Sequence, residues 1–530
     1  MRYFLLVLVC IQLSPSALGA HNIFLFTIDS CRADRFGAYG YGKPTTPHID
    51  AWAKTGTVFE RAYSTTAWTA PGLVSILTGL YPPLHGVNNR DHMGPPNLVT
   101  LIKVFKQRGY QVPNLNFFTF APYYRHLGLA GVEREYFGSG AGDELLNWLK
   151  AKARSAQSSP FFVWYHTVLV HQPYRPPAAE LPAPLEELEK SPAIKAVLNG
   201  AIVPVGSAHF QEKDKAVLDQ LYSAELRRVD RLFSAALEIL RSRHLLEDTL
   251  VVLTADHGEE LLDHGFVGHA STSLQAKLYE EVVRIPLIFS WPGRVPGGQR
   301  VSKRASQVDI LPTILKLFNI KPPPYVQGRD LFSKEQQARP LFLESIISGN
   351  QTTKEHEGIW VRGILEENYK YISTGELYNL AEDPLEQNNI GRREAEVAKR
   401  LRAHLTDWLT ATSVQRSRVF PSGPQIFASS GRKPVIFTPE NGSVLNYDTH
   451  TGVILLDWQG DREAAYLIQY NIGTGDHHVA GIFEVSGNHQ LLGPLSRELW
   501  HNLKAWNPFQ IRVARKSARP NWSNWTVFSF

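Results

Sequence analysis

Two short apolar runs constrain this chain more than any other feature of it. NIFLFTIDS (Asn22–Ser30) and TLVVLTADHG (Thr249–Gly258) lack the strict alternation of a half-exposed strand. Such runs suit strands buried on both faces, as in a parallel sheet covered by helices on each side. Each run carries an aspartate at its end, Asp29 or Asp256. In open α/β sheets ligands gather at the carboxyl ends of strands. Two aspartates placed there, far apart in the chain, predict one shared cation site.

The intervening segments read as helices and further strands. Leu98, Leu101, Ile102 and Phe105 form a helical stripe before Gly109, and Leu218, Leu221, Leu226 and Val229 form another before the apolar Leu232–Leu240 stretch. FFVWYHTVLVH (Phe161–His171) reads as another buried strand. Strands alternating with helices predict an α/β domain with a mostly parallel central sheet over residues 21–338. A proline cluster at Pro322–Pro324 precedes a change of texture near residue 340. YKYIST and GELYNL look like short strands, and Ala395–Leu409 like an amphipathic helix, giving a small α+β subdomain over 339–415. A polar linker over 416–430 leads to residues 431–530. There VILLDWQG, AAYLIQYNIG, AGIFEVSG, FQIRVA and WTVFSF, separated by turn residues, predict a C-terminal β-sandwich.

Composition narrows the setting. The 530 residues leave room for two or three domains, and 55 basic against 50 acidic residues give a net charge of only +5. No basic block with interleaved aromatics is present, so nucleic acid is not an expected partner. The first 20 residues, MRYFLLVLVCIQLSPSALGA, read as a secretory signal peptide. Its apolar core is too short to span a bilayer comfortably. The expected location is secreted or periplasmic, with no stable membrane span. Cleavage near Gly19 or Ala20 would leave Cys31 as the one cysteine, so no internal disulfide is expected. Asn350, Asn441, Asn521 and Asn524 lie in N-x-S/T sequons.

The chemistry centres on TAWTAPGLVSILTGLYPPLHG (Thr66–Gly86). Pro71 can sit in the first turn of a helix over the following apolar residues. Thr69 then lies at that helix's N-terminus, where the dipole favours an anion. Taken alone, Thr69 also reads as a plain helix cap. Asp29 and Asp256 offer oxygen ligands and His257 a nitrogen. That mix suits a divalent metal ion (Ca, Mg, Mn or Zn) without choosing among them. A cation beside Thr69 would make its alkoxide accessible.

Seven segments, in order from about His21 to Leu409, resemble the sulfatase family of the alkaline phosphatase superfamily. They are FTIDSCRADRFGAYGYGKPTTPHID, TAPGLVSILTGLYPPLHG, WYHTVLVHQPYRPP, TADHGEELLDHG, KLYEEVVRIPLIFSWPG, VDILPTILKLF and GELYNLAEDPLEQNNI. The resemblance implies metal ligation by Asp29, Asp256 and His257, with Thr69 beside the ion. Ser30 stands where many members carry a second aspartate, so its hydroxyl would touch the metal only weakly. His171 matches a histidine expected near the transferred group or the leaving oxygen. Lys277 occupies a region where the family often has an anion-binding lysine, with His269 as a competing candidate. His166 is read as structural and His264 as a loop residue.

The departures from the family pattern carry equal weight. Thr69 falls where members have the cysteine or serine that is oxidised to formylglycine. Leu73 stands where the accompanying arginine is expected. An aldehyde-hydrate mechanism is therefore not expected. Threonine is the nucleophile type of phosphodiesterase and phosphotransferase relatives. The resemblance implies a hydrolase or transferase acting on sulfate or phosphate/phosphonate esters, with an anionic ester substrate carried on a glycan or a lipid. Sulfate-ester hydrolysis by an unmodified threonine, and a catalytically weak protein that binds anionic glycans or surface polymers, are the alternatives. The C-terminal segment resembles a fibronectin type III domain, with Trp522 and Trp525 read as packing residues.

Overall fold

The computed structural model describes residues 21–88, 94–116, 126–129, 142–152, 159–334, 337–347 and 360–420, together with the strands of the C-terminal region. The expected signal peptide, the four sequon asparagines and Trp522 and Trp525 lie outside the described residues.

Both opening runs form the strands that their composition predicts. The central sheet comprises β1 (Asn22–Ile28), β2 (Thr57–Tyr63), β3 (Phe162–Thr167), β4 (Thr249–Ala255), β7 (Arg284–Ile285), β8 (Leu287–Ser290) and β9 (Gln299–Ser306). A two-stranded hairpin, β5 (Glu260–Leu261) with β6 (Val267–Gly268), follows β4. The sheet order is β3-β1-β4-β8-β2-β7, with β9 also on β2. Strands β1, β2, β3, β4 and β9 share one direction; the short β7 and β8 run against them. The sheet is therefore mostly parallel, as the unbroken apolar runs require.

Helices cover both faces of β1. Phe24 and Phe26 point to one side and meet Phe233 of the helix Glu212–Ser242. The stretches before and after Val229 belong to this one 31-residue helix. On the other face Phe105, from the helix Leu101–Lys106, stacks on Phe162 and meets Phe318. Phe24, Phe26, Phe105, Phe162 and Phe233 are all fully buried, and burial of such a side chain contributes roughly 1.5–3 kcal/mol.

A four-stranded antiparallel sheet, β10 (Leu341–Ile346), β11 (Trp360–Glu366), β12 (Tyr369–Ile372) and β13 (Glu376–Asn379), follows in sequence order. The helix Ala395–Val419 packs on it through Leu401, Leu405 and Trp408, whose ring stacks on Phe342 at 4.0 Å. This helix continues well past Leu409, and residues 416–419, expected in a linker, are its last turn. The reason is tertiary. Gln415 donates to the Tyr325 carbonyl at 3.1 Å, and Phe420 meets the Tyr325 ring, so the extra turns are held against the main domain.

Among the described residues the C-terminal region has eight strands: β14 (Ile436–Thr438), β15 (Ser443–Val444), β16 (Ile454–Trp458), β17 (Ala465–Ile472), β18 (Val479–Ser486), β19 (His489–Leu492), β20 (Phe509–Arg515) and β21 (Thr526–Ser529). They form a three-stranded sheet β14-β16-β19 and a five-stranded sheet β15-β21-β20-β17-β18. All their pairings are antiparallel except β15 with β21. Among the described residues no helix is long and apolar enough to cross a membrane.

Buried charges join the β5–β6 hairpin to the four-stranded sheet. Lys370, fully buried on β12, reaches Glu280 at 3.0 Å and Glu386 at 2.7 Å. His264, in the hairpin loop, faces the Glu281 carboxylate at 2.6 Å through Nδ1 and the Glu386 carbonyl at 3.2 Å through Nε2. Its ring stacks on Tyr279 at 3.8 Å. Both nitrogens face acceptors, so both carry protons. Burial alone would lower this imidazole, but the bonds to Glu260 and Glu281 outweigh it and push it up to about 10.

Two predictions follow from this packing. The His264 pKa is raised above its ordinary 6.5, so its stabilisation is complete below about pH 6.5 and is lost as pH rises through about 10. Urea midpoints measured across that window should fall in the wild type and stay flatter in His264→Gln; equal slopes would remove the charged histidine from the account. The second prediction concerns Gly72, where a Cβ would stand 2.7 Å from the Asp256 carbonyl oxygen, a backbone atom. Gly72→Ala should therefore push the helix Thr69–Thr78 off the end of β4 and lower stability by about 1–3 kcal/mol, read as a drop in thermal midpoint.

Candidate metal centre

Strand register sets the site. In the parallel pairs Thr27 lies opposite His166 on one side and Thr254 on the other, and Ile28 lies opposite Ala255. Side chains two apart share a face. Asp29, Asp256 and His166 are thus brought to one face at the carboxyl ends of β1, β4 and β3. All three are buried.

The turn after β1 is shaped around Asp256. Ser30 has φ 54°, in the left-handed region, which aims its N–H at Asp256 Oδ1, 3.1 Å away. The His257 N–H donates to the same oxygen at 2.8 Å. Tyr222 fixes the turn from outside by donating to the Ser30 carbonyl at 2.8 Å and accepting from the Arg32 N–H. The Ser30 hydroxyl donates to Asp29 Oδ1 at 2.9 Å. Asp256 Oδ2 is buried and has no hydrogen-bond partner. An orphaned carboxylate oxygen is costly in a dry interior.

The neighbouring histidines face that oxygen. His257 Nε2 lies 3.5 Å from Asp256 Oδ2 and 3.7 Å from Asp29 Oδ1. Its Nδ1 donates to the Gly258 carbonyl at 2.7 Å, which leaves the lone pair on Nε2. His166 Nε2 lies 3.2 Å from Asp29 Oδ2 and 3.9 Å from Asp256 Oδ2. Two carboxylates, an orphaned oxygen and an inward-facing imidazole lone pair fit a divalent cation. Asp29, Asp256 and His257 would hold it, and it would supply charge to lower the pKa of an adjoining hydroxyl and offset ester oxygens.

Electrostatics agree with an unfilled charge requirement. Burial alone would raise Asp29, but His171, His166 and His257 hold it well below the usual carboxylate range. Burial and then the Asp29 charge push Asp256 well above that range. Burial, then His269, hold the His257 imidazole well below its ordinary value, so it is neutral. Two carboxylates this close do not both ionise readily without a cation.

Thr69 opens the helix Thr69–Thr78 and is the one half-exposed residue in it. Its Oγ1 lies 3.4 Å from His257 Nε2. The helix is anchored from behind. Thr65 Oγ1 lies 2.9 Å from both Ser75 Oγ and Gln307 Oε1, Ser75 Oγ lies 3.2 Å from His85 Nε2, and Gln307 Nε2 donates to the Asp256 carbonyl at 2.8 Å. The helix and the second carboxylate are thereby tied to the same groups.

Three imidazoles line up beside Thr69. The His257 and His269 ring centroids are 4.3 Å apart, and His269 and His171 are 5.0 Å apart. His269 is fixed by Glu259 at Nδ1 and Ser271 at Nε2, both 2.9 Å away. Burial and then His171 lower it to about 3, so the ring is neutral, and burial raises Glu259 to about 8. His171 is half-buried.

Asp29, Ser30, Thr69, Asp256, His257, His171 and His269 therefore converge. Lys277 has its Nζ 5.8 Å from the Tyr279 ring, beside the His264 network. The sequence reading passed over three residues here. His166, read as structural, faces both carboxylates; the signal is its register opposite Thr27, two residues before Asp29. Glu259, within TADHGEELLDHG, holds His269. Gln307 joins the segment that leads into the helix Thr69–Thr78 to the end of β4, a contact for which the sequence offers no sign.

The sulfatase family profile matches residues 21–320, more than half of the chain. A second profile, the C-terminal part of N-sulphoglucosamine sulphohydrolase, matches residues 275–414. An ulvan-active sulfatase of Formosa agariphila is 24% identical over 415 residues, covering 71% of this chain and 78% of that protein. The steryl-sulfatase of Rattus norvegicus is 25% identical over 427 residues, covering 63% of this chain and 72% of that protein. The crystal structure of a phosphonate monoester hydrolase of Agrobacterium radiobacter is similar in fold, with a TM-score of 0.57, 19% identity, and coverage of 75% of this chain and 96% of that one. BT4656, solved with its substrate D-glucosamine-2-N,6-O-disulfate, gives 0.57 at 21% identity over 76% and 99% of the two chains. With its parallel sheet, its strand-end carboxylates and a profile match over most of the main domain, this chain belongs to the sulfatase family.

Proposed function

We propose that this protein is a metal-dependent hydrolase or transferase of sulfate or phosphate/phosphonate esters in which Thr69 is the nucleophile. The observation that carries the reading is the position of Thr69 Oγ1, 3.4 Å from His257 Nε2 at the rim of the buried Asp29–Asp256 pair. Thr69 is half-exposed, so a substrate can reach it from outside while the cation site lies beneath.

The divalent cation supplies the charge that makes an alkoxide accessible near neutral pH. The chain's own residues supply the rest. Thr69 occupies the position where sulfatases carry their formylglycine precursor, and the first turn of its helix directs N–H groups toward an incoming anion. The Thr69 hydroxyl proton passes to solvent, Oγ1 bonds to phosphorus or sulfur as the bond to the leaving oxygen breaks, and the leaving oxygen gains a proton. His171, half-buried beside His269, is the proposed donor to that oxygen. Water or another alcohol then takes the group from Thr69. Glu259 and His269 position the imidazole row.

Phosphorus esters are favoured over sulfate esters, because a phosphothreonine intermediate can be resolved by water without the aldehyde chemistry that Thr69 lacks. The steryl-sulfatase, the ulvan-active sulfatase and the glucosamine-disulfate complex among the relatives support an anionic ester on a glycan or lipid. The leader sequence supports a secreted or periplasmic location. The split of the C-terminal strands into three- and five-stranded sheets supports a fibronectin type III-like sandwich.

A panel of aryl sulfate, phosphate monoester, phosphate diester and phosphonate, each with several divalent metals, tests the reading. Turnover should appear with at least one phosphorus ester, vanish on chelation and return on adding the metal back. Thr69→Ala should lower that turnover by roughly a thousandfold or more with an unchanged thermal midpoint, and the wild type should give a phosphate or sulfate mass adduct on Thr69. Equal activity in Thr69→Ala would exclude the covalent route. Anionic-glycan binding without turnover of any ester would favour the binding-protein alternative, which the neutral Ser30 and the buried Leu73 support.

A further inference from the structure

The exits of β2 and β4, which lead to Thr69 and Asp256, are not neighbours in the sheet. Between them run β8 and the short β7 before it, both antiparallel to β2. Pro286 separates these two strands and has no N–H to give to a ladder. The pairing of β4 with β8 ends at Thr254 opposite Leu287, and main-chain bonding resumes where the Gly258 N–H donates to the Val282 carbonyl at 2.6 Å. The Asp256 carbonyl lies within that break. The Gln307 side chain supplies the missing donor: its Nε2 reaches the Asp256 carbonyl at 2.8 Å. Its Oε1 accepts from the Thr65 N–H at 2.8 Å and the Thr65 hydroxyl at 2.9 Å. An N–H only donates and a carbonyl only accepts, so these partners fix which way the amide points. One wholly buried side-chain amide thus acts as a peptide group acts inside a sheet, accepting from one side and donating to the other.

The bridge has leverage on Thr69. Thr65 is held on all its polar groups, because the Glu344 N–H of β10 donates to its carbonyl at 2.9 Å. Two residues on, the Ala67 carbonyl accepts the Ala270 N–H at 3.2 Å, beside His269. Trp68 is extended, with φ −165° and ψ 166°, and buried; Thr69 follows it. A segment pinned at Thr65 and Ala67 passes a displacement of Thr65 on to Thr69. At the other end Gln307 holds the backbone of Asp256 and not its carboxylate. The amide therefore spans from the segment that carries the nucleophile to the residue that carries a cation ligand, and touches neither reacting side chain.

We propose that Gln307 is a positioning residue that sets the reach of Thr69 Oγ1 to the cation site by bridging Thr65 and Asp256. This rests on Thr69 being the nucleophile. Steady-state kinetics on the fastest ester of the substrate panel, and calorimetric titration with manganese alone, test it in the full chain. Gln307→Leu, close in volume and unable to hydrogen-bond, should lower kcat about 100-fold and leave KM and the manganese affinity within about threefold of wild type. Thr65→Val keeps the backbone bond and loses the hydroxyl, and should lower kcat by about tenfold. The double variant should be no slower than Gln307→Leu, as two residues acting as one unit require. Thr65→Val also carries the test if Gln307→Leu fails to fold. An unchanged kcat in either folded variant, a loss confined to KM or manganese affinity, or kcat losses that multiply in the double variant would overturn the assignment while leaving Thr69 as nucleophile. A wild type that turns over no ester would overturn the nucleophile reading and this role with it.

Discussion

The structure depends on an opposition of charge that the fold creates and does not itself resolve. Asp29 and Asp256 are carried to the same face of a dry sheet by two parallel strands in fixed register. Backbone N–H groups satisfy one oxygen of Asp256 and leave the other without a partner. Burial and the Asp29 charge push a proton onto Asp256, while the surrounding imidazoles keep Asp29 ionised. Such an arrangement is stable only because a large core supports it, and it is useful only to something positively charged.

Around this pair the molecule is organised in successive shells of contacts. The strands fix the carboxylates. The hydroxyl and amide contacts from His85 through Ser75, Thr65 and Gln307 fix the helix that begins at Thr69 against the same strand end. Outside these, Glu259 holds His269 in the imidazole row. The buried Lys370 and the doubly bonded His264 then lock the hairpin carrying these residues to the following sheet. A reacting group at Thr69 is thus located relative to the cation site by main-chain geometry more than by flexible side chains.

What the sequence disclosed follows the same order. Runs such as NIFLFTI and TLVVLTA have one good structural solution, so β1, β4 and the placing of Asp29 and Asp256 at their ends were legible without coordinates. The helix over Ala395–Leu409 was legible from its apolar spacing, but its extension to Val419 was not, because Gln415 and Phe420 are held by Tyr325, far away in the chain. His166 was hidden for a different reason. A histidine at the end of an apolar strand carries no local sign of its partners, and only the register against β1 turns it toward Asp29. Lys277 and His269 could not be separated by spacing, since the left-handed turn at Leu274 between them redirects the chain. His269 lies in the imidazole row, and Lys277 lies over Tyr279.

Cys31 lies two residues beyond Asp29, wholly buried, and its N–H donates to the His257 carbonyl. Burial and then the nearby Asp256 charge push its thiol far above the ordinary range, so it stays protonated. Nucleophilic sulfur requires the thiolate. Buried and protonated, this sulfur is a poor nucleophile, although it adjoins the proposed cation site. A centre built from oxygen and nitrogen with its one neighbouring thiol silenced would tolerate oxidising surroundings, where an exposed cysteine at the same position would be a point of irreversible damage.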